Sequence, residues 1–71
     1  MKTIDMKIPK KQYVVKFLSE YGDSYKTKTR QTSKGIEFAK RYTTLEKAKN
    51  YVEKFAYGDS EIIELNMILE D

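Results

Sequence analysis

Cysteine and histidine are both missing from this chain. Without cysteine there is no disulfide framework, no thiolate nucleophile, and no zinc or iron–sulfur site of the usual ligand kind. Without histidine there is no imidazole base, and the commonest transition-metal ligand is gone. The 11 acidic residues are scattered, and no D-x-D-x-D-G loop gathers them for calcium or magnesium. Glycine is scarce, with three residues at 22, 35 and 58, and neither G-x-x-x-x-G-K-[ST] nor G-x-G-x-x-G occurs. No apolar run exceeds three residues (Tyr13-Val14-Val15 is one), so neither a membrane span nor a signal-peptide core is expected. At the start, Met1-Lys2-Thr3-Ile4-Asp5 places an acid where a signal peptide needs apolar residues. These absences predict a cytoplasmic, non-enzymatic protein with no cofactor, no metal and no membrane partner.

What is present amounts to one small domain spanning residues 1–71. A chain of this length buries roughly 60% of its unfolded surface, for a stability on the order of 4–10 kcal/mol. Its net charge of +3 conceals a division along the chain. Residues 1–54 carry all 14 basic residues and six acids, a balance of +8, whereas residues 55–71 carry five acids and no base.

The clearest element is a helix over about residues 44–57. Thr43-x-x-Glu46 has the spacing of a capping box, in which hydroxyl and carboxylate each satisfy a free N–H of the first turn. Leu45, Ala48, Val52, Phe55 and Ala56 make one apolar stripe, with Lys47, Lys49, Asn50, Glu53 and Lys54 opposite, and Gly58 supplies the stop. After it, Ile63, Leu65, Met67 and Leu69 alternate with Ile62, Glu64, Asn66 and Ile68, the period of a strand over 61–69. Upstream, 25–31 alternates bases with Thr or Gln and reads as extended, 36–42 likewise, with a turn at 32–35 between them. Residues 10–21 fit two readings. Tyr13, Val15 and Phe17 alternate as a strand forming a hairpin with 25–31, while Val14, Phe17, Leu18 and Tyr21 suit a helix between Pro9 and Gly22. Ile4, Met6 and Ile8 suggest a short edge strand. Tyr13-Val-x-Lys-Phe17 followed by Tyr21-Gly-Asp-Ser24 echoes Tyr51-Val-x-Lys-Phe55 followed by Tyr57-Gly-Asp-Ser60, but the spacing differs by two residues and nothing else repeats. The predicted class is α+β, a small three- to four-stranded sheet with one helix packed on one face.

In that arrangement Tyr13, Val15, Phe17, Ile36, Phe38, Ile63 and Leu65 point at the helix. Lys16, Lys26, Lys28, Arg30 and Arg41 then share the open sheet face with Val14 and Leu18, diluted by Glu37 and Glu64. Such a face can lie on a phosphate backbone; equally, small sheets carry lysine and threonine outside simply to stay soluble and unpaired. With Tyr25, these five bases are the candidate residues for binding a partner or nucleic acid. Tyr21, Tyr57, Ile62 and Glu64 are candidates for a protein interface, since tyrosine buries area there at low entropic cost. The segment 61–69 or the N-terminal alternation offers a strand edge for a homodimer.

Ala39-Lys-Arg-Tyr-Thr-Thr-Leu-Glu-Lys-Ala-Lys49 resembles the A-K-R-F-x-T-x-E-x-A-K run of many small proteins from Firmicute phages and mobile elements. There a hairpin precedes the run, the helix follows, and another strand closes the sheet. The resemblance implies an accessory protein that binds and blocks a host protein, a class that includes anti-CRISPR inhibitors of defence systems. Arg41-Tyr42-Thr43-Thr44-Leu45-Glu46-Lys47-Ala48 also looks like the opening of the helix in the arm-binding domain of tyrosine recombinases, whose sheet reads DNA. That second resemblance implies DNA contacts at Lys26, Lys28 and Arg30; this chain lacks its glycine before the aromatic and adds a strand after the helix. The expectation is therefore a non-enzymatic binding protein directed at a host macromolecule, a protein first and nucleic acid as the alternative.

Overall fold

The computed structural model describes residues 2–8, 10–55 and 59–67, to which the structural statements below refer. In chain order these form β1 (Lys2–Met6), β2 (Gln12–Phe17), β3 (Ser24–Lys26), β4 (Thr32–Ser33), a 3-10 turn (Ile36–Phe38), helix α1 (Leu45–Phe55) and β5 (Ser60–Met67). The strands make one mixed sheet in the order β1-β5-β2-β3-β4. β1 runs parallel to β5, and the other pairings are antiparallel.

The two central strands are legible in a detail of their composition. Val14-Val15 and Ile62-Ile63 are adjacent β-branched pairs, and neighbours in a strand point to opposite faces. Strands built this way are covered on both sides. β2 and β5 indeed pair with Val14 opposite Ile63 and Val15 opposite Ile62. On one face Val14, Ile63 and Leu65 are sealed by Ala39, with Met6, Ile8, Tyr25 and Ile36 around them. On the other, Val15 packs with Tyr42 and Ala48 of the helix layer, surrounded by Tyr13, Phe17, Tyr51, Val52 and Ile62. Burying each of the larger side chains contributes about 1.5–3 kcal/mol.

The α+β class holds, and the sheet has five strands where three or four were expected. Residues 12–17 are a strand, the alternative that pairs them with β3 through Lys16–Tyr25 and Phe17–Ser24. The connecting turn needs Gly22, whose φ of +115° lies where L side chains are strained. Its N–H donates to the Ser19 carbonyl at 3.1 Å, and the Asp23 carboxylate accepts the Ser19 N–H at 3.2 Å.

Four expectations are corrected. The sheet face away from the helix is closed rather than open: Ile63, Leu65 and Ile36 lie on it with Val14, while Ile62 faces the helix. The predicted strand over 25–31 stops at Lys26, because Thr27 and Thr29 turn their hydroxyls onto the backbone. Thr27 Oγ1 donates to the Gln31 carbonyl at 2.6 Å and accepts the Thr29 N–H at 3.2 Å, while Thr29 Oγ1 accepts the Gln31 N–H at 3.2 Å. Threonine so placed offers the chain a turn in competition with a ladder. Within the predicted 32–35 turn, Thr32 and Ser33 then pair with Lys26 and Tyr25 as β4. The third correction concerns 36–42, which is not a strand. Ile36–Phe38 coils, Phe38 is 66% exposed, and the extended chain returns at Tyr42, whose N–H and carbonyl both pair with Tyr13 at 2.8 Å.

That pairing explains the fourth. With Tyr42 held in the sheet, Thr43 carries the chain outward and Thr44 caps the helix, its Oγ1 accepting the Lys47 N–H at 3.2 Å. Gly58, the predicted stop, and residues 56 and 57, the predicted end of the helix, lie outside the described residues, as do residues 68–71.

Candidate functional site

Helix α1 lies over β2 and divides the sheet surface into two flanks. Residues three, four and seven apart share a helix face. Lys47, Tyr51 and Lys54 form one such stripe, and Glu46 and Glu53 form another on a different side. The Tyr51 stripe borders β3 and the threonine-stapled loop; Leu45, Lys49 and Val52 border β5 beside Ser60, Glu61 and Ile62.

Between α1 and the loop runs a groove of about 470 Å³, walled by Phe17, Tyr51 and Phe55 on one side and by Lys26 and Arg30 with Thr29, Gln31 and Thr32 on the other. Its aromatic wall is a ladder. The Tyr42 and Tyr51 ring centroids are 6.3 Å apart, and those of Tyr51 and Phe55 are 5.6 Å apart, both tilted by 33°. Phe55 remains 60% exposed at the end of the ladder. Two lysines sit on these rings, Lys26 Nζ 4.9 Å from the Tyr51 centroid and Lys40 Nζ 5.0 Å from that of Tyr42. Lys26 also donates to the Thr27 carbonyl at 2.7 Å. Partial burial, reinforced by the nearby Lys40 charge, lowers the Lys26 pKa below its ordinary value. Burial and then Tyr51 raise that of the Tyr42 hydroxyl.

Two smaller hollows adjoin the groove. One is lined by Lys40, Arg41, Tyr42, Thr43, Lys47 and Asn50. The other lies across the loop, where Phe38 and Lys28 face the threonines. Among the described residues, no carboxylate lines the groove or either hollow. Elsewhere ion pairs join Lys2 with Glu61 at 3.7 Å, Lys11 with Glu64 at 3.3 Å and Lys16 with Asp23 at 3.4 Å. Among the described residues, Lys26, Lys28, Arg30, Lys40, Arg41 and Lys47 have no carboxylate partner.

The five bases predicted to share one sheet face do not do so. Lys16 is half-buried against Asp23, and Arg41 donates from Nη1 to Gln12 Oε1 at 3.0 Å. Lys26 lies on the helix side, and Lys28 and Arg30 leave the sheet altogether because the strand ends before them. Tyr25 packs beneath the sheet with Val14, opposite the helix. Lys26 and Arg30 are therefore the pair that the fold brings together. Of the interface candidates, Tyr21 stands 86% exposed on the β2–β3 turn. Ile62 is core beside Val15, Glu64 is tied to Lys11, and Tyr57 lies outside the described residues.

Sequence reasoning missed Phe17, Tyr51 and Phe55 as a site, although their signal was present. The echo of Tyr13-Val-x-Lys-Phe17 in Tyr51-Val-x-Lys-Phe55 is built into a strand and a helix that pack together, and both phenylalanines reach the same groove. The chain matches no protein-family model, no curated protein and no solved structure. Among the described residues no group of three or more Cys, His, Asp or Glu could hold a metal ion, and no helix is long and apolar enough to cross a membrane.

Proposed function

We propose that this chain is a non-enzymatic binding protein that captures an anionic macromolecule stoichiometrically through the flank between α1 and the 27–31 loop. The observation that carries this reading is the segregation of charge: Lys26, Arg30, Lys40 and Lys47 gather on one flank around half-exposed aromatics, and no carboxylate lines it. Unmatched bases held close together raise the local potential and draw a polyanion in. The order hairpin, helix, closing strand, here β2–β3, α1 and β5, supports the resemblance to phage accessory proteins that act by occupying a host target.

The test is a titration with heparin, a polyanion without aromatic groups, at about 50 and 200 mM salt. With three or four phosphates or sulfates neutralised, affinity should fall roughly 20- to 50-fold between those salts. Replacing Lys26, Arg30 and Lys40 together by alanine should abolish most of that dependence. Absence of heparin binding at the lower salt would overturn the proposal.

A further inference from the structure

The groove has two ingredients, and charge accounts for one of them. Carboxylates alone, as in poly-L-glutamate, would satisfy Lys26 and Arg30 but leave Phe55 and Phe38, 60% and 66% exposed, without matching surface. Flat π-systems strung on a chain of negative charges satisfy both. Bases stack on aromatic side chains whatever their identity, while lysine and arginine follow the backbone. We propose that the groove binds a single strand of nucleic acid, a base stacking on the exposed Phe55 while Lys26 and Arg30 of the groove, with Lys40 of the neighbouring hollow, hold the phosphates. This deepens the polyanion reading above and rests on it.

Three features carry the choice. The groove, at about 470 Å³, is an open cleft with room for small organic groups, whose pockets span roughly 300–1,000 Å³. Its aromatic wall is pre-formed, because Tyr51 is already braced between Tyr42 and Phe55 and no ring needs to be ordered on binding. The loop between the groove and the Phe38 hollow contributes Thr29, Gln31 and Thr32 to both, so a strand crossing this ridge passes from Phe55 with Arg30 to Phe38 with Lys28. That repeats one aromatic platform and one cation on each side. A duplex keeps its bases stacked on one another and cannot use such platforms, which is why a single strand is the assigned ligand.

The experiment measures binding of the full chain to fluorescently labelled oligo-dT and oligo-rU of about 15 nucleotides, to an abasic oligomer of equal length, to the matching duplex, to poly-L-glutamate and to heparin. One of the two single strands should bind at least roughly 10-fold more tightly than the abasic oligomer, and the tighter of the two names the sugar. Phe55→Leu keeps the apolar volume on an exposed helix end and removes the π-face. It should weaken single-strand binding roughly 10-fold or more and leave heparin binding unchanged, whereas Arg30→Ala should weaken both. Equal binding of the abasic oligomer, the duplex or poly-L-glutamate, or an unchanged affinity in Phe55→Leu, would overturn the single-strand assignment while heparin binding upheld the polyanion reading. Failure of every polyanion, heparin included, would overturn both.

Discussion

At the scale of single residues, position in the sheet decides what otherwise similar side chains are worth. Ile63 is 1% exposed between β2 and the Ala39 segment, while Ile4, on the outer strand β1, is 36% exposed. Ile63→Ala should therefore cost about 2–5 kcal/mol in a urea unfolding experiment, the range for emptying a closed core, and Ile4→Ala distinctly less. Asp23 behaves differently, since it lies at the surface and acts through its charge. Its carboxylate accepts the Ser19 N–H and faces Lys16, and these contacts lower its pKa below 3.8 against a smaller opposing effect of desolvation. A carboxyl with a depressed folded pKa adds stability above its unfolded pKa and loses it as pH falls through the folded value. Asp23→Asn should then be the less stable protein at neutral pH, with the difference closing below about pH 3.8. Denaturation midpoints of both proteins at pH 7 and pH 3 would show it; a gap that persists at pH 3 would assign the effect to packing.

At the scale of elements, the helix and the threonine loop make opposite uses of the same side chain. Thr44 stops a chain arriving from the sheet and starts α1, so Thr44→Ala should destabilise the protein by about 0.5–2 kcal/mol, with Thr43→Ala costing less. Equal effects at both positions would place the cap elsewhere. Thr27 instead ends a strand, its hydroxyl bonded to both Gln31 and Thr29. Thr27→Val keeps the shape and removes these bonds. The amides of Thr29 and Gln31 should then exchange faster with solvent, at a stability cost of about 0.5–1.5 kcal/mol per bond lost. Because this loop forms the outer wall of the groove, ligand affinity should fall with it, although Thr27 itself is not among the groove residues.

At the scale of the whole molecule, the division of charge along the chain is redistributed by topology. The parallel pairing of β1 with β5 sets Lys2 beside Glu61, Lys11 reaches Glu64, and Asn66 donates to Asp5 at 3.1 Å. Acids of the C-terminal third are thus matched by the first residues of the chain. Four bases of the middle, Lys26, Arg30, Lys40 and Lys47, have no carboxylate partner among the described residues and line the groove and the hollow beside it. β1 also shields the edge of β5 from other strands. Deleting residues 1–8 should expose that edge together with Leu65, opposite Ile4, and produce salt-insensitive association in light scattering. Association that vanished on adding salt would point to charge instead.

The sequence alone determined the class of fold, the helix and the strand after it, because hydrophobic period acts locally and needs no partner to be read; it left residues 10–21 open between strand and helix, and the pairing with β5 and β3 decided for the strand. It also excluded thiol and imidazole chemistry outright. Only the tertiary structure decided where the bases go. A register of alternate residues assigns Lys26, Lys28 and Arg30 to one face only while the strand lasts, and two threonine hydroxyls end it at Lys26. Likewise Tyr51 and Phe55 look like ordinary core from their spacing. What makes them a groove is that the fold sets them, with Phe17, across from Lys26 and the 29–32 loop, a juxtaposition carried by no local pattern.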